Sequence, residues 1–217
     1  MCGGNKVMRI LAVTGGIGSG KSEVCRILAE NGLELQYEAD SRAKALYVES
    51  QDLLDAMEEA LGCSLRGEDG RFNRNRLSQV IFNDPESLAK VEQLLFPQML
   101  KDFSDRMSGA GKDAVVVFES ATFLEKPAFD GFADMVLLVD APFQLRLERA
   151  CSRDGASAEA VLARMQCQKL MNYLSDGGTD PRIDYVIENV GSREELQQKV
   201  LEFLSCLQGQ KNEIIND

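Results

Sequence analysis

Short apolar runs alternate with amphipathic stretches along this chain. After the first run, Val24, Ile27 and Leu28 recur at helical spacing, and Asn31-Gly32 marks the end of that helix. Near-continuous apolar runs separated by helices are typical of buried parallel strands. The pattern therefore predicts an α/β fold, a five-stranded parallel sheet with helices on both faces. The five runs cover residues 10–13, 33–38, 114–118, 135–139 and 184–188.

The stretch between the second and third runs, about 41–111, is long and helical in pattern. One apolar helix face ends at Gly62, and a second helix begins near Arg74. A longer helix begins near Pro85, with a break expected at Pro97. A single crossover between parallel strands needs far fewer residues. We therefore interpret this stretch as an insertion that covers a substrate.

The rest of the chain is predicted to form a small lid and a closing helix. Helical patterns cover 143–152 and 157–173, and Ser192 caps a helix that runs to Leu207. We expect one domain with the following parts: a core (8–40, 112–142 and 182–207), an insertion (about 41–111), a lid (about 143–181) and, after residue 207, a tail (208–217).

Composition excludes several classes of chemistry and partner. The 217 residues carry a net charge of −11, which disfavours nucleic acid and anionic membranes as partners. The chain has no histidine, so acid–base catalysis and metal binding by imidazole are excluded. Six cysteines without a Cys-x-x-Cys pair, and no signal peptide or membrane-length apolar run, indicate a cytoplasmic protein with reduced thiols.

A glycine-rich motif, Gly-x-x-x-x-Gly-Lys-Ser, follows the first apolar run directly. Strand, glycine loop and helix are the context of a phosphate loop (P-loop), whose backbone N–H groups approach phosphate oxygens. Lys21 should reach the β- and γ-phosphates of ATP, and the Ser22 hydroxyl should bind Mg²⁺. A chance match is expected in only about 1% of such chains. The predicted ATP-binding residues are Gly15, Gly16, Ile17, Gly18, Ser19, Gly20, Lys21 and Ser22.

Polar side chains follow the other predicted strands. Ligands of open α/β sheets bind at the carboxyl ends of the strands, where Asp40, Glu119, Asp140 and Asn189 lie. Asp40 could accept a proton from an alcohol or hold a Mg²⁺-bound water, and its alternative is a turn or helix-cap residue. Asp140 competes with Asp40 for the magnesium role. Glu119 is either a carboxylate behind the metal or an edge charge.

Three arginines, Arg146, Arg149 and Arg153, recur near helical spacing before a turn. They form either a solvated helix face or a lid that closes guanidinium groups over the nucleotide phosphates. The pattern alone leaves both interpretations open.

From about residue 8 to 207 the chain resembles the dephospho-CoA kinase family. The loop sequence from Thr14 to Ser22 is close to the family's own, and Ala39-Asp40 matches the end of its Asp-Ala-Asp. Gly70-x-x-Asn73-Arg74-x-x-Leu77, Arg149, Arg153-Asp154, Arg164-x-x-x-Gln168 and the segment 186–191 are similar to further family motifs.

The resemblance implies transfer of the ATP γ-phosphoryl to the ribose 3′-hydroxyl of dephospho-CoA. It implies catalytic roles for Asp40, Lys21 and Arg149, with dephospho-CoA held by the insertion and by Asp40 and Arg74. Arg153 would contact ATP, and Asn189 would lie near the adenine. ATP and Mg²⁺ are the implied cofactors.

The chain departs from the family pattern at Glu38, Glu23 and Phe96, and the segment 119–125 is a loose version of its family counterpart. These departures concern the acceptor site more than the ATP site. The main alternative is another P-loop metabolite or nucleotide kinase. A GTP-dependent switch protein is disfavoured because the chain lacks Asn-Lys-x-Asp and Asp-x-x-Gly elements. A non-catalytic nucleotide-binding protein is the third alternative.

Overall fold

The computed structural model describes residues 8–82 and 84–213, with side chains to residue 207. Within these residues, five strands form one sheet in the order β2-β3-β1-β4-β5. Strand β1 pairs in parallel with β3 and β4, and β4 pairs in parallel with β5. The predicted five-stranded parallel sheet is confirmed. The strands are β1 (Arg9–Thr14), β2 (Gln36–Glu38), β3 (Val115–Glu119), β4 (Met135–Asp140) and β5 (Tyr185–Glu188).

Helices fill the connections between the strands, and polar caps set where several of them begin. Ser50, Asn73, Asp84 and Ser157 each accept a hydrogen bond from a backbone N–H in the first turn of the helix that follows. None of the helices in the described residues has the length and apolar content that a bilayer crossing requires. The helices are α1 (Lys21–Glu30), α2 (Ala39–Glu49), α3 (Gln51–Leu61), α4 (Arg74–Ile81), α5 (Pro85–Met107), α6 (Phe143–Asp154), α7 (Ala158–Gln166), α8 (Lys169–Ser175) and α9 (Arg193–Glu213).

The two faces of the sheet are covered differently. Alternate strand residues such as Leu11, Val13 and Val117 pack against the apolar faces of α1 and α9, and all three are at most 1% exposed. On the opposite face, the Phe118 ring lies 5.1–5.8 Å from four other rings. These rings belong to Tyr37, Phe123, Phe129 and Phe132. Burial on both faces explains the near-continuous apolar runs.

The chain divides into two compact units. One comprises residues up to Tyr37 and from Ala110 onward and contains the sheet core, and the other spans Glu38–Gly109. In the second unit, Val91, Leu95, Met99 and Phe103 form the buried face of α5.

Several predicted element boundaries are wrong. Helix α5 passes through Pro97 without ending, because buried residues continue at helical spacing on either side and their packing outweighs the local cost of proline. The predicted helix 157–173 is two helices, separated at Cys167 and Gln168. Helix α9 continues to Glu213, so the predicted tail is helical as far as that residue, and residues 214–217 lie outside the described part.

The second strand begins later than predicted but ends at Glu38 as predicted, and helix α2 follows it without a loop, which changes the position of Asp40. Strand β2 covers only Gln36–Glu38, and Ala39 already begins α2. Asp40 therefore lies in the first turn of a helix and not at the end of a strand. This position is close to that of a helix cap, the alternative that the sequence leaves open for Asp40. A helix N-terminus is a favourable position for a carboxylate.

Arg42 fixes α2 to α5 inside the second unit. Its guanidinium donates to both oxygens of Asp102, at 3.0 and 2.9 Å, and both side chains are less than 20% exposed. We expect Arg42→Met to lower the free energy of unfolding by about 1–2 kcal/mol, between the values for exposed and buried ion pairs. Urea denaturation measures the change.

A matched control for this change is Arg106→Met. Arg106 pairs with the same Asp102 but is 47% exposed, so its loss should cost at most about 0.5 kcal/mol. Equal effects of the two substitutions would contradict the anchoring role of Arg42.

Candidate functional site

The phosphate loop connects β1 to α1 and lies at the N-terminus of that helix. Gly18 and Gly20 have φ angles of +77° and +99°, a backbone conformation that residues with a Cβ atom rarely adopt. The Ser19 N–H donates to the Gly16 carbonyl at 3.1 Å, which closes a turn within the loop. A helix N-terminus behind such a loop is an anion-binding arrangement.

Lys21 lies at the first position of α1 and is folded back over the loop. Its ammonium donates to the carbonyl oxygens of Gly15 and Gly16, at 3.0 and 3.3 Å, and the residue is 9% exposed. A carboxylate oxygen of Glu119, at the end of β3, lies 3.9 Å from the ammonium. Glu119 is therefore part of the loop's charged environment.

Asn189 and Arg149 are brought to the same loop from distant parts of the chain. The Asn189 amide donates to the Ser19 carbonyl at 2.8 Å, and Asn189 is 6% exposed. Arg149 of α6 donates to the Asn189 carbonyl at 3.0 Å. Both predicted site residues thus lie in the hydrogen-bonded surroundings of the loop.

Arg146 is buried against the loop. It is 2% exposed, and a Cβ placed on Gly16 would lie 2.0 Å from its Nη1 atom. Its guanidinium carbon lies 5.8 Å from the centre of the Phe143 ring. Burial lowers the pKa of Arg146, although the nearby Asp140 charge acts in the opposite direction. For this residue the interpretation as part of a solvated helix face is wrong.

Arg153 has a different environment from Arg146 and Arg149. It is exposed and donates two hydrogen bonds to Asp154, at 2.7 and 3.2 Å, and Arg164 donates a third at 2.7 Å. The hydrogen bonds from Arg153, and to a smaller extent the one from Arg164, hold the pKa of the Asp154 carboxyl well below its usual range. The structure thus pairs Arg153 with Asp154 and not with the phosphate loop.

Gln168, the residue before α8, also contacts the loop. Its amide oxygen accepts the Ile17 N–H at 2.8 Å, and the side chain is buried. The residues alone did not indicate this contact, since 151 positions separate the two partners. In the sequence, Gln168 stands out only as the last residue of Arg164-x-x-x-Gln168, a motif that resembles one of the dephospho-CoA kinase family.

In the second unit, Asp40 and Arg74 are both exposed at helix starts. Asp40 is the second residue of α2, and Arg74 is the first residue of α4. Asn73 caps α4 by accepting the N–H groups of Asn75 and Arg76. Both predicted acceptor-binding residues therefore have accessible side chains.

The residues around the loop fit a magnesium ion that is shared with phosphate. Among the side chains that the structure describes, those of residues 8–82 and 84–207, there is no group of three or more Asp, Glu or Cys residues that could hold a metal ion. Magnesium is commonly held by few protein ligands together with phosphates and water. The exposed hydroxyl of Ser22, at the N-terminal turn of α1, is a suitable ligand of this kind.

Gly18 gives a direct test of the loop's packing. A Cβ at Gly18 would lie 2.1 Å from the Arg146 carbonyl oxygen. We expect Gly18→Ala to lower the free energy of unfolding by about 2–4 kcal/mol, from the left-handed backbone and the overpacking together. We also expect a higher KM for ATP, measured by steady-state kinetics.

Gly155→Ala is the matched control for Gly18→Ala. Gly155 also has a positive φ, +58°, but a Cβ there would have nothing within 4 Å. Its substitution should cost only the backbone contribution, about 1–2 kcal/mol, and leave the KM for ATP unchanged. If both alanine variants behave alike, the contact with Arg146 does not constrain the loop.

A phosphate loop between the first strand and first helix of a parallel sheet defines the chain as a P-loop nucleotide-binding protein. Solved structures support this fold. One Thermus thermophilus protein is 30% identical, with a TM-score of 0.75, 93% of this chain and 98% of that chain being covered. A dephospho-CoA kinase from Campylobacter jejuni has a TM-score of 0.63 and the same coverage at 22% identity, and this likeness concerns the fold alone.

The family model described as dephospho-CoA kinase matches residues 9–195. A dephospho-CoA kinase of Porphyromonas gingivalis is 39% identical over 173 residues, 80% of this chain and 84% of that protein. One of Chlorobaculum tepidum is 34% identical over 196 residues, 88% of this chain and 91% of that protein. The chain belongs to the dephospho-CoA kinase family and is an ATP-dependent kinase.

Proposed function

We propose that this chain transfers the γ-phosphoryl group of ATP to the ribose 3′-hydroxyl of dephospho-CoA, producing CoA and ADP. The family match over residues 9–195 is the observation that carries this proposal. The phosphate loop with Lys21, described above, supplies the ATP-binding part of the reaction.

The loop's role is to hold and neutralise the phosphates. Phosphoryl transfer depends on positioning and charge stabilisation more than on covalent chemistry by the protein. The loop provides backbone N–H donors other than those of Ile17 and Ser19, which already donate to Gln168 and Gly16. Lys21 provides a cation for the β- and γ-phosphates. The carbonyl contacts of Lys21 support this role, because they keep the ammonium at the loop.

Asp40 is the proposed catalytic carboxylate. It would hold the acceptor hydroxyl and take its proton as the new bond forms between the hydroxyl oxygen and the γ-phosphorus. The bond from that phosphorus to the β–γ bridging oxygen breaks, and ADP leaves with the electron pair. The exposed carboxylate of Asp40 supports this role, because a substrate can reach it.

Arg149 and Asn189 are proposed to act on the nucleotide side. Arg149 would stabilise charge that develops on the transferring phosphoryl group, and Asn189 would lie beside the adenine. Their hydrogen bonds to each other and to Ser19 support a position next to the bound nucleotide. To contact ATP, the Arg153 guanidinium would give up its hydrogen bonds to the Asp154 carboxylate and donate to phosphate oxygens instead. Both partners are anionic, so the guanidinium would keep a negatively charged acceptor.

We assign magnesium and the acceptor to further residues. When bound, Mg²⁺ would neutralise phosphate charge, and Ser22 is its proposed protein ligand. The unit Glu38–Gly109 is proposed to hold dephospho-CoA, with Arg74 binding one of its anionic groups. The exposure of Arg74 supports this assignment.

The test of the proposed function is ADP release in a coupled assay. We expect turnover with ATP, Mg²⁺ and dephospho-CoA, and mass spectrometry should find CoA as the product. A panel of shikimate, gluconate and nucleoside monophosphates serves as the control for other P-loop kinases. ADP release that does not depend on dephospho-CoA would contradict the proposal.

We also place the reaction in the cytoplasm, with a small-molecule substrate and without nucleic acid or membrane partners. Cysteines of the described residues are free thiols, which suits a reducing compartment. The net charge of −11 supports the absence of anionic macromolecular partners.

A further inference from the structure

The top of the phosphate loop is held by the segment α6–α8 of the same compact unit. The Ile17 N–H donates to the amide oxygen of Gln168 at 2.8 Å. The Ile17 side chain packs beside a buried cluster formed by Ala150, Val161 and Met165, each at most 2% exposed. One loop residue is therefore fixed through both its backbone and its side chain.

Gln168 is rigidly placed to make this contact. It is 4% exposed and lies at the joint between α7 and α8. Its own N–H donates to the Met165 carbonyl at 3.0 Å, and its carbonyl accepts the Asn172 N–H at 3.1 Å. With its backbone engaged on both sides and its side chain buried, the residue presents its amide oxygen to the loop from a fixed backbone position.

The loop depends on such external contacts because of its composition. Glycine has little conformational preference of its own, so a glycine-rich loop does not hold one shape by itself. A phosphate cage is effective only when its N–H donors already point at the phosphate position. Arg146 contacts the loop at Gly16 and Gly18, but only by packing. The Gln168 contact is a directed hydrogen bond.

We propose that Gln168 is a positioning residue of the phosphate loop, whose amide oxygen holds Ile17 and thereby keeps the loop in its phosphate-binding shape. Gln168 itself does not touch the phosphates. The ammonium of Lys21 reports the same shape, because it bonds to Gly15 and Gly16, the two residues before Ile17. The inference rests on the proposed function for its turnover readout.

Gln168→Met tests this inference, since methionine has a similar length but no amide oxygen. We expect the Ile17 amide to exchange with deuterium about tenfold faster and the ATP dissociation constant to rise about tenfold. The KM for dephospho-CoA should stay unchanged, and the melting temperature should fall by only a few degrees, because one part-buried hydrogen bond is lost. NMR hydrogen exchange, calorimetry and steady-state kinetics measure these quantities in the full chain.

Two further variants separate the hydrogen bond from general packing. Gln168→Glu keeps an acceptor oxygen and should preserve Ile17 protection, while its added negative charge weakens ATP binding. Gln166→Met changes an exposed glutamine two residues earlier and should behave like the wild type. If Gln168→Met does not fold, Gln168→Asn, which withdraws the oxygen by one methylene group, is measured in the same way.

Several outcomes would overturn the inference. The first is unchanged ATP binding and unchanged Ile17 amide exchange in Gln168→Met. The second is a loss of Ile17 amide protection in Gln168→Glu as large as that in Gln168→Met. The third is a fall in the melting temperature of Gln168→Met beyond a few degrees, together with equally weakened binding of ATP and dephospho-CoA. ATP binding and Ile17 exchange are measured without any acceptor. A failure of dephospho-CoA as substrate therefore leaves this test intact.

Discussion

Replacing Asp40 by asparagine is expected to lower kcat by about 10²–10⁴-fold and to leave the ATP dissociation constant unchanged. Asparagine keeps the size of the side chain and can still hydrogen-bond the acceptor, but it cannot take a proton. Asp40 is exposed in the first turn of α2, so the substitution leaves no buried group without a partner. Coupled ADP release at saturating substrates gives kcat, and calorimetry gives ATP affinity.

Asp52→Asn is the matched control for Asp40→Asn. Asp52 is the second residue of α3, as Asp40 is of α2, and it is also exposed. Its substitution should leave kcat unchanged. A kcat for Asp40→Asn equal to that of the control would remove Asp40 from the mechanism.

Lys21→Ala is expected to lower kcat/KM for ATP by about 10²–10³-fold, the usual cost of losing one donor to transition-state charge. The ammonium is the only charged group of this residue that can contact phosphate, and two carbonyl contacts hold it at the loop. Lys21→Met should lose as much activity, although it retains the buried part of the side chain. Initial rates at varied ATP concentration measure the effect.

Lys169→Ala is the control for the loss of one positive charge. Lys169 is exposed at the start of α8, and its substitution should leave kcat/KM unchanged. If Lys21→Met retained full activity while Lys21→Ala lost it, the residue would act by packing and the assignment of the phosphate loop would be wrong.

The backbone framework and the loop could be predicted from the sequence, because their signals are local. Apolar runs of strand length and the glycine motif each specify a short segment without reference to the rest of the chain. Asp40 was identified as a candidate, but its place in a helix was missed because no local signal marks the start of α2 at Ala39, directly after β2.

The contacts that hold the site together could not be predicted, since they join distant segments. Arginine on a helix is normally solvated, so spacing alone did not distinguish buried Arg146 from exposed Arg153. Gln168 meets Ile17 only because α7 ends where it does, and the apolar pattern of 157–173 did not reveal that end. At Pro97 a local signal led to a wrong prediction, since a helix break was expected there. The helix continues because its tertiary packing outweighs the local effect of proline.

The two carbonyl contacts of Lys21 have a thermodynamic consequence for ATP. A triphosphate competes for an ammonium that already has partners, so binding exchanges one set of hydrogen bonds for another. The net enthalpy that Lys21 contributes to ATP binding is then small. Its contribution to ATP affinity comes mainly from the attraction between the ammonium and the phosphate charges. Because mobile ions screen that contribution, ATP affinity should fall with rising ionic strength more steeply in the wild type than in Lys21→Met.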